Sequence, residues 1–182
     1  MRVPVVGRAG RSTSILTLAV LLLAGCTGAP DPAPSASASA SEEPSPLLPV
    51  YPAEPTADAI TLETATVAEA LARAIGEANI VNDDLNDQTT PATETTGASY
   101  AVVQTLTLDP VLDAADQARS LVLTLGEAGW RSADTTDAPS TYLAALVSGE
   151  DAATSWFLLV GADLSVPGQS VVTLQLASPD LP

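Results

Sequence analysis

Apolar positions along this chain recur at changing intervals, and each interval predicts an element. Val67, Leu71 and Ile75 recur at helical spacing, so their side chains share one face of a helix. Thr66 with Glu69 three residues later has the spacing of a capping box, which predicts a start there. Glu69 and Arg73 then sit at the favourable i, i+4 separation on the outer side. From Ser99 to Leu108 the period drops to two, with Tyr100, Val102, Leu106 and Leu108 on one side and Gln104 the polar interruption. That alternation predicts a strand.

A second helix is expected immediately afterwards. Asp109 suits the cap, Pro110 the first helical position, and Val111, Ala115, Ala118, Val122 and Leu125 form its apolar stripe. Gly129 is placed to end it in a left-handed turn, which would bring Trp130 back against Leu125 in a structural role. Three further strands are predicted over Thr141–Val147, Ser155–Ala162 and Ser170–Ala177. Ser148-Gly149-Glu150-Asp151 and Pro167-Gly168 supply the turns between them. The order α-β-α-β-β-β predicts an α+β fold, a two-layer sandwich with two helices on one face of a mainly antiparallel four-stranded sheet.

One strand strains this scheme. In Ser155–Ala162, Trp156, Phe157, Leu158, Leu159 and Val160 are all apolar, yet strand neighbours point to opposite faces and two helices cover only one. Either Trp156, Leu158 and Val160 or Phe157 and Leu159 therefore need another cover: the segment Leu47-Leu48-Pro49-Val50-Tyr51, a curled sheet, or a partner. Trp156, Leu158 and Val160 are the candidate binding residues.

The amino-terminal portion follows other rules. Arg2, Arg8 and Arg11 precede the run Ile15–Leu23, whose nine residues span about 14 Å as a helix against a hydrocarbon core of about 30 Å. A basic stretch followed by so short an apolar run describes a signal peptide. It ends in Leu23-Ala24-Gly25-Cys26, and Cys26 is the chain's only cysteine. These residues resemble the lipobox of bacterial lipoproteins. The resemblance implies cleavage before Cys26, lipidation of its thiol, and attachment to the outer face of the cell membrane. Thr27–Thr56 holds eight prolines and a SASASAS tract, a composition that cannot offset the entropy of ordering and reads as a tether. The expected division is a signal peptide over 1–25, lipidated cysteine and tether over 26–56, and one acidic domain over 57–182. With the Glu127-Ala128-Gly129-Trp130 helix end before the meander, the whole resembles uncharacterised lipoproteins of high-GC Gram-positive bacteria. That resemblance implies an envelope location and no activity.

Charge and missing residues narrow the function. Once the signal peptide is removed, three arginines face all 22 carboxylates, a side-chain charge of −19. Such a surface repels nucleic acid and anionic headgroups. Without histidine or lysine there is no Ser-His-Asp arrangement, imidazole ligand, Schiff base or P-loop. No enzymatic activity, catalytic residue, cofactor or metal is expected. The densest oxygen-ligand stretch, Asn82-Asp83-Asp84-Leu85-Asn86-Asp87-Gln88, departs from a calcium loop. Asp87 stands at its glycine position and Thr93 at its bidentate-glutamate position, so a solvated loop is expected. Arg73, Arg119 and Arg131 are expected as helix-surface or helix-end charges, Arg119 with Asp116 as local partner. Two function classes fit: an envelope interaction module that binds another protein or a wall component, and a small-ligand or cation binder accessory to uptake or sensing.

Overall fold

The fold is built on a six-stranded sheet in which every neighbouring pair is antiparallel, in the order β1-β2-β6-β5-β4-β3. It is taken from a computed structural model that describes residues 45–94, 97–166 and 168–182. The expected signal peptide, Cys26, most of the expected tether and Pro167 lie outside the described residues. The strands are β1 (Ile80–Thr90), β2 (Ser99–Leu108), β3 (Arg131–Ala138), β4 (Thr141–Val147), β5 (Phe157–Asp163) and β6 (Val171–Ala177). Two helices, α1 (Ala57–Ile75) and α2 (Ala114–Ala128), cover one face. No described helix is long and apolar enough to cross a membrane.

The α+β class stands, but the four-stranded sheet is corrected to six strands. The two missed strands, β1 and β3, are the edges. Each has one hydrogen-bonded neighbour and residues that are exposed almost throughout, so no apolar alternation marks either in the sequence. The Asn82–Gln88 stretch, expected as a loop, lies within β1 and pairs with Gln104–Thr107 and Ala101–Val103 of β2. Its carboxylates suit an edge that must resist pairing with another chain.

Both helices also start elsewhere than predicted. The cap of α1 lies ten residues before Thr66, at Thr56, whose Oγ1 accepts from Ala59 N at 3.1 Å. Thr66 is inside the helix, and its hydroxyl donates to Leu62 O at 2.8 Å, a bond back along the helix that threonine makes readily. The expected face of Val67, Leu71 and Ile75 is buried and extends to Ile60 and Thr64. α2 is capped by Asp113, not Asp109. Asp109 instead closes a turn, its carboxylate accepting from Val111 N at 3.0 Å. Val111 consequently leaves the stripe and is 86% exposed, while Leu121 replaces it in the core. Gly129 adopts the left-handed conformation expected, with φ 111°, and Trp130 N donates to Leu125 O.

The core lies between helices and sheet and is nearly all Leu, Val, Ala and Ile with two indoles. Each indole N–H finds an acceptor, as buried indoles require. Trp156 Nε1 donates to Thr64 Oγ1 of α1 at 2.8 Å, and Trp130 Nε1 to Leu47 O at 2.7 Å. The second bond draws in a segment whose composition placed it in the tether. Leu47, Leu48 and Tyr51 pack against the core, with the Tyr51 and Trp156 rings edge to face at 6.1 Å.

Edge strand β3 is fastened to α2 by Arg119. Its guanidinium donates to both carboxylate oxygens of Asp137 at 2.8 and 3.0 Å and to the expected partner Asp116 at 2.8 Å, and it lies 5.4 Å from the centre of the Tyr142 ring. The hydrogen bonds from Arg119 hold the Asp137 carboxyl below its ordinary range, and burial pushes the Tyr142 hydroxyl up.

Candidate functional site

The strand register decides which side chains share the face that no helix covers. Residues directly opposite across an antiparallel pair project to the same side, so rows can be followed from edge to edge. One row runs Gln88, Ala101, Ala177, Phe157, Val147, Arg131. The next runs Asn86, Val103, Gln175, Leu159, Ala145, Asp134, and the third Asp84, Thr105, Thr173, Gly161, Leu143, Thr136. Each ends in polar or charged residues on β1 and β3 and is mainly apolar or threonine between them. The result is an apolar strip along the middle of the outer face.

The other parity of β5 is entirely internal. Trp156, Leu158 and Val160 are buried in the core beneath the helices, so the structure places these candidate binding residues away from the accessible side. The accessible pair is Phe157 and Leu159, with Phe157 41% exposed in the first row and Leu143, two rows away, 40% exposed. The 47–51 segment packs with Trp130 and Trp156 at the core. It therefore answers to the other parity of the strand. Cys26, the expected lipidation site, lies outside the described residues.

A shallow hollow of about 200 Å³ interrupts the strip, bounded by Thr141, Leu143, Gly161, Asp163 and Thr173. It exists because Gly161 has no side chain where its row neighbours have theirs. A Cβ built there would meet Leu143 Cδ1 at 3.5 Å, ordinary contact, with backbone oxygens beyond. At its end Asp163 accepts a hydrogen bond from Ser165 N at 2.8 Å, and hydrogen bonds from the Ser165 side chain and backbone keep its carboxyl below the usual range. Asp84, Asp134 and Asp163 thus give the rim a negative bias. Arg131 is the cation of the first row, and it is engaged by Glu150 at 3.1 Å and by Gly149 O.

The chain matches no family model, no curated protein and no solved structure. The rows offer apolar contact and threonine hydroxyls at the centre, with carboxylates, amides and Arg131 toward the edges and Gln175 between. Among the described residues no three carboxylates group closely enough to hold a metal ion. Sequence reasoning recognised that β5 needed a second cover, but not which parity was free. Leu143 and Gly161 went unrecognised because a lone leucine or glycine in a strand carries no signal until its cross-strand neighbours are known.

Proposed function

We propose that this chain is a lipid-anchored extracytoplasmic interaction module, which docks a protein of the cell envelope on the uncovered face of its sheet. The observation that carries this reading is the apolar strip that runs from Phe157 past Leu159 to Leu143, with the hollow at Gly161, between polar edges. Soluble monomers rarely leave large contiguous apolar patches open, and a hollow beside the exposed Leu143 side chain suits a buried anchor residue. Asp84, Asp134 and Asp163 on the rim select the partner's chemistry: an apolar side chain entering the hollow, flanked by lysine or arginine. The anchoring half of the reading rests on Arg2, Arg8 and Arg11, the nine-residue apolar run, and the lipobox resemblance at Leu23–Cys26.

The test uses the full chain in intact cells, with a photo-crosslinking residue at Leu143 or, as control, at Leu123, which is 72% exposed on α2. The expected result is one envelope protein joined at Leu143 but not at Leu123, through a segment containing lysine or arginine. Gly161→Val, which fills the hollow while keeping a residue suited to strands, should leave the fold intact and remove that product. Equal capture from Leu123, or a product indifferent to Gly161→Val, overturns the reading.

A further inference from the structure

On the opposite side of the sheet, edge strand β1 overhangs helix α1, and a cleft of about 280 Å³ lies between them. Glu69 and Arg73 of α1, with Glu77 in the short 3-10 turn after it, stand on one wall. Asp83 and Leu85 of β1 and Gln104 of β2 stand on the other. Gln104 is the polar residue on the inner face of β2 and is only 3% exposed. Its Nε2 donates to both oxygens of Asp83 at 2.9 Å. This fixes the amide's orientation, since the flipped form would set its carbonyl oxygen against a carboxylate. Gln104 Oε1 is then the one buried side-chain acceptor without a donor among the described residues. Buried polar atoms are almost always paired, and leaving one unpaired costs free energy.

We infer that this cleft is a binding site for a primary alkylammonium group, which donates to Gln104 Oε1 while its charge faces Asp83. Three carboxylates, Glu69, Glu77 and Asp83, against one cation, Arg73, make the cleft attractive to positive ligands and repellent to anions. Ala72, Ile80 and Leu85 line it as well and suit a short methylene stem. A divalent metal ion fits less well, because no group of three ligating side chains converges among the described residues and such ions need six or more oxygens. The ammonium needs only one acceptor and one counter-charge, both of which are present, and Glu69 and Glu77 favour a second cationic end.

Calorimetric titration of the full chain in detergent with 1,5-diaminopentane tests this, with 1,5-pentanediol and calcium chloride as comparisons. The diamine should bind saturably and the diol should not, and the side-chain amide resonance of Gln104 in the unaltered chain should move on binding. Asp83→Asn and Gln104→Leu should each weaken the diamine about tenfold, the effect of losing one hydrogen bond to a charged group, while Arg73→Gln should tighten it. Asp134→Asn, an equal change of charge away from the cleft, should leave the affinity unaltered. A diamine that binds no better than calcium, an amide resonance that does not move, or equal weakening by Asp134→Asn overturns the inference and assigns any binding to bulk charge. Nα-acetyl-lysine methylamide identifies the source of the group. If it binds more tightly than the diamine, the ammonium belongs to a partner's lysine; if more weakly, to a free amine.

Discussion

Phe157 and Leu158 are neighbours in sequence with opposite environments, because strand geometry turns one outward and the other into the core. Leu158→Glu buries an unpaired carboxylate with no acceptor-satisfying partner in a wall of aliphatic side chains. It should cost at least about 4 kcal/mol, enough to unfold most of the population, since both a core side chain and the solvation of a charge are lost. Phe157→Glu, at a site 41% exposed, should shift the thermal midpoint by only a few degrees, within about 1 kcal/mol, while removing the crosslink at Leu143. Equal loss of midpoint in the two variants would show that the outer face is packed after all. Trp156→Phe is subtler: it leaves Thr64 Oγ1 without the indole donor in a buried site. About 1–3 kcal/mol should be lost in urea denaturation.

At the scale of elements, the two edges of the sheet are held differently. β1 follows directly from α1 and its 3-10 turn and pairs along ten residue positions with β2, whereas β3 relies on β4 and the Arg119 clamp to Asp137. The Asp137 carboxyl is depressed in the folded chain because Arg119 donates to it. Its stabilising contribution is therefore present above the unfolded pKa of about 3.9 and is lost as pH falls through the lower folded value. Hydrogen exchange should show β3 amides losing protection below about pH 4 before those of β6 in the centre. Arg119→Ala should produce the same selective loss at neutral pH; uniform loss over all six strands would refute the clamp. The helix starts were displaced for a related reason. Thr56, Thr66, Asp109 and Asp113 are all acceptable caps by residue type, and which of them acts is decided by where the helix must lie to bury Ile60 and Leu121 on the sheet.

For the whole molecule, the boundary of the folded unit and the proposed lipid anchor are the quantities to measure. A chain beginning at Ala57 lacks Leu47, Leu48 and Tyr51, which are half-buried against the core, and the carbonyl that accepts from Trp130. Full burial of such a side chain contributes about 1.5–3 kcal/mol, so the truncated chain should fold but lose about 2–4 kcal/mol in urea denaturation. An unchanged midpoint would return the segment to the tether. Cys26→Ser should abolish acyl labelling and leave precursor uncleaved or protein released from the membrane, and normal labelling would remove the basis for anchoring. The elements with strong local signals were legible in sequence: β2 and β6 by alternation, the Gly129 turn by the need for a positive φ, and the α+β class by the succession of periods. The acidic, histidine-free and lysine-free composition likewise excluded whole classes of chemistry before any fold was known. What only the tertiary structure decided was whatever depends on neighbours distant in sequence. β1 and β3 are strands because β2 and β4 present them with open hydrogen-bonding edges. Phe157 and Leu143 are a surface because both helices chose the other face. Gln104 has an unpaired oxygen because its donor groups met Asp83, 21 residues earlier, across a strand pair that no local pattern announces.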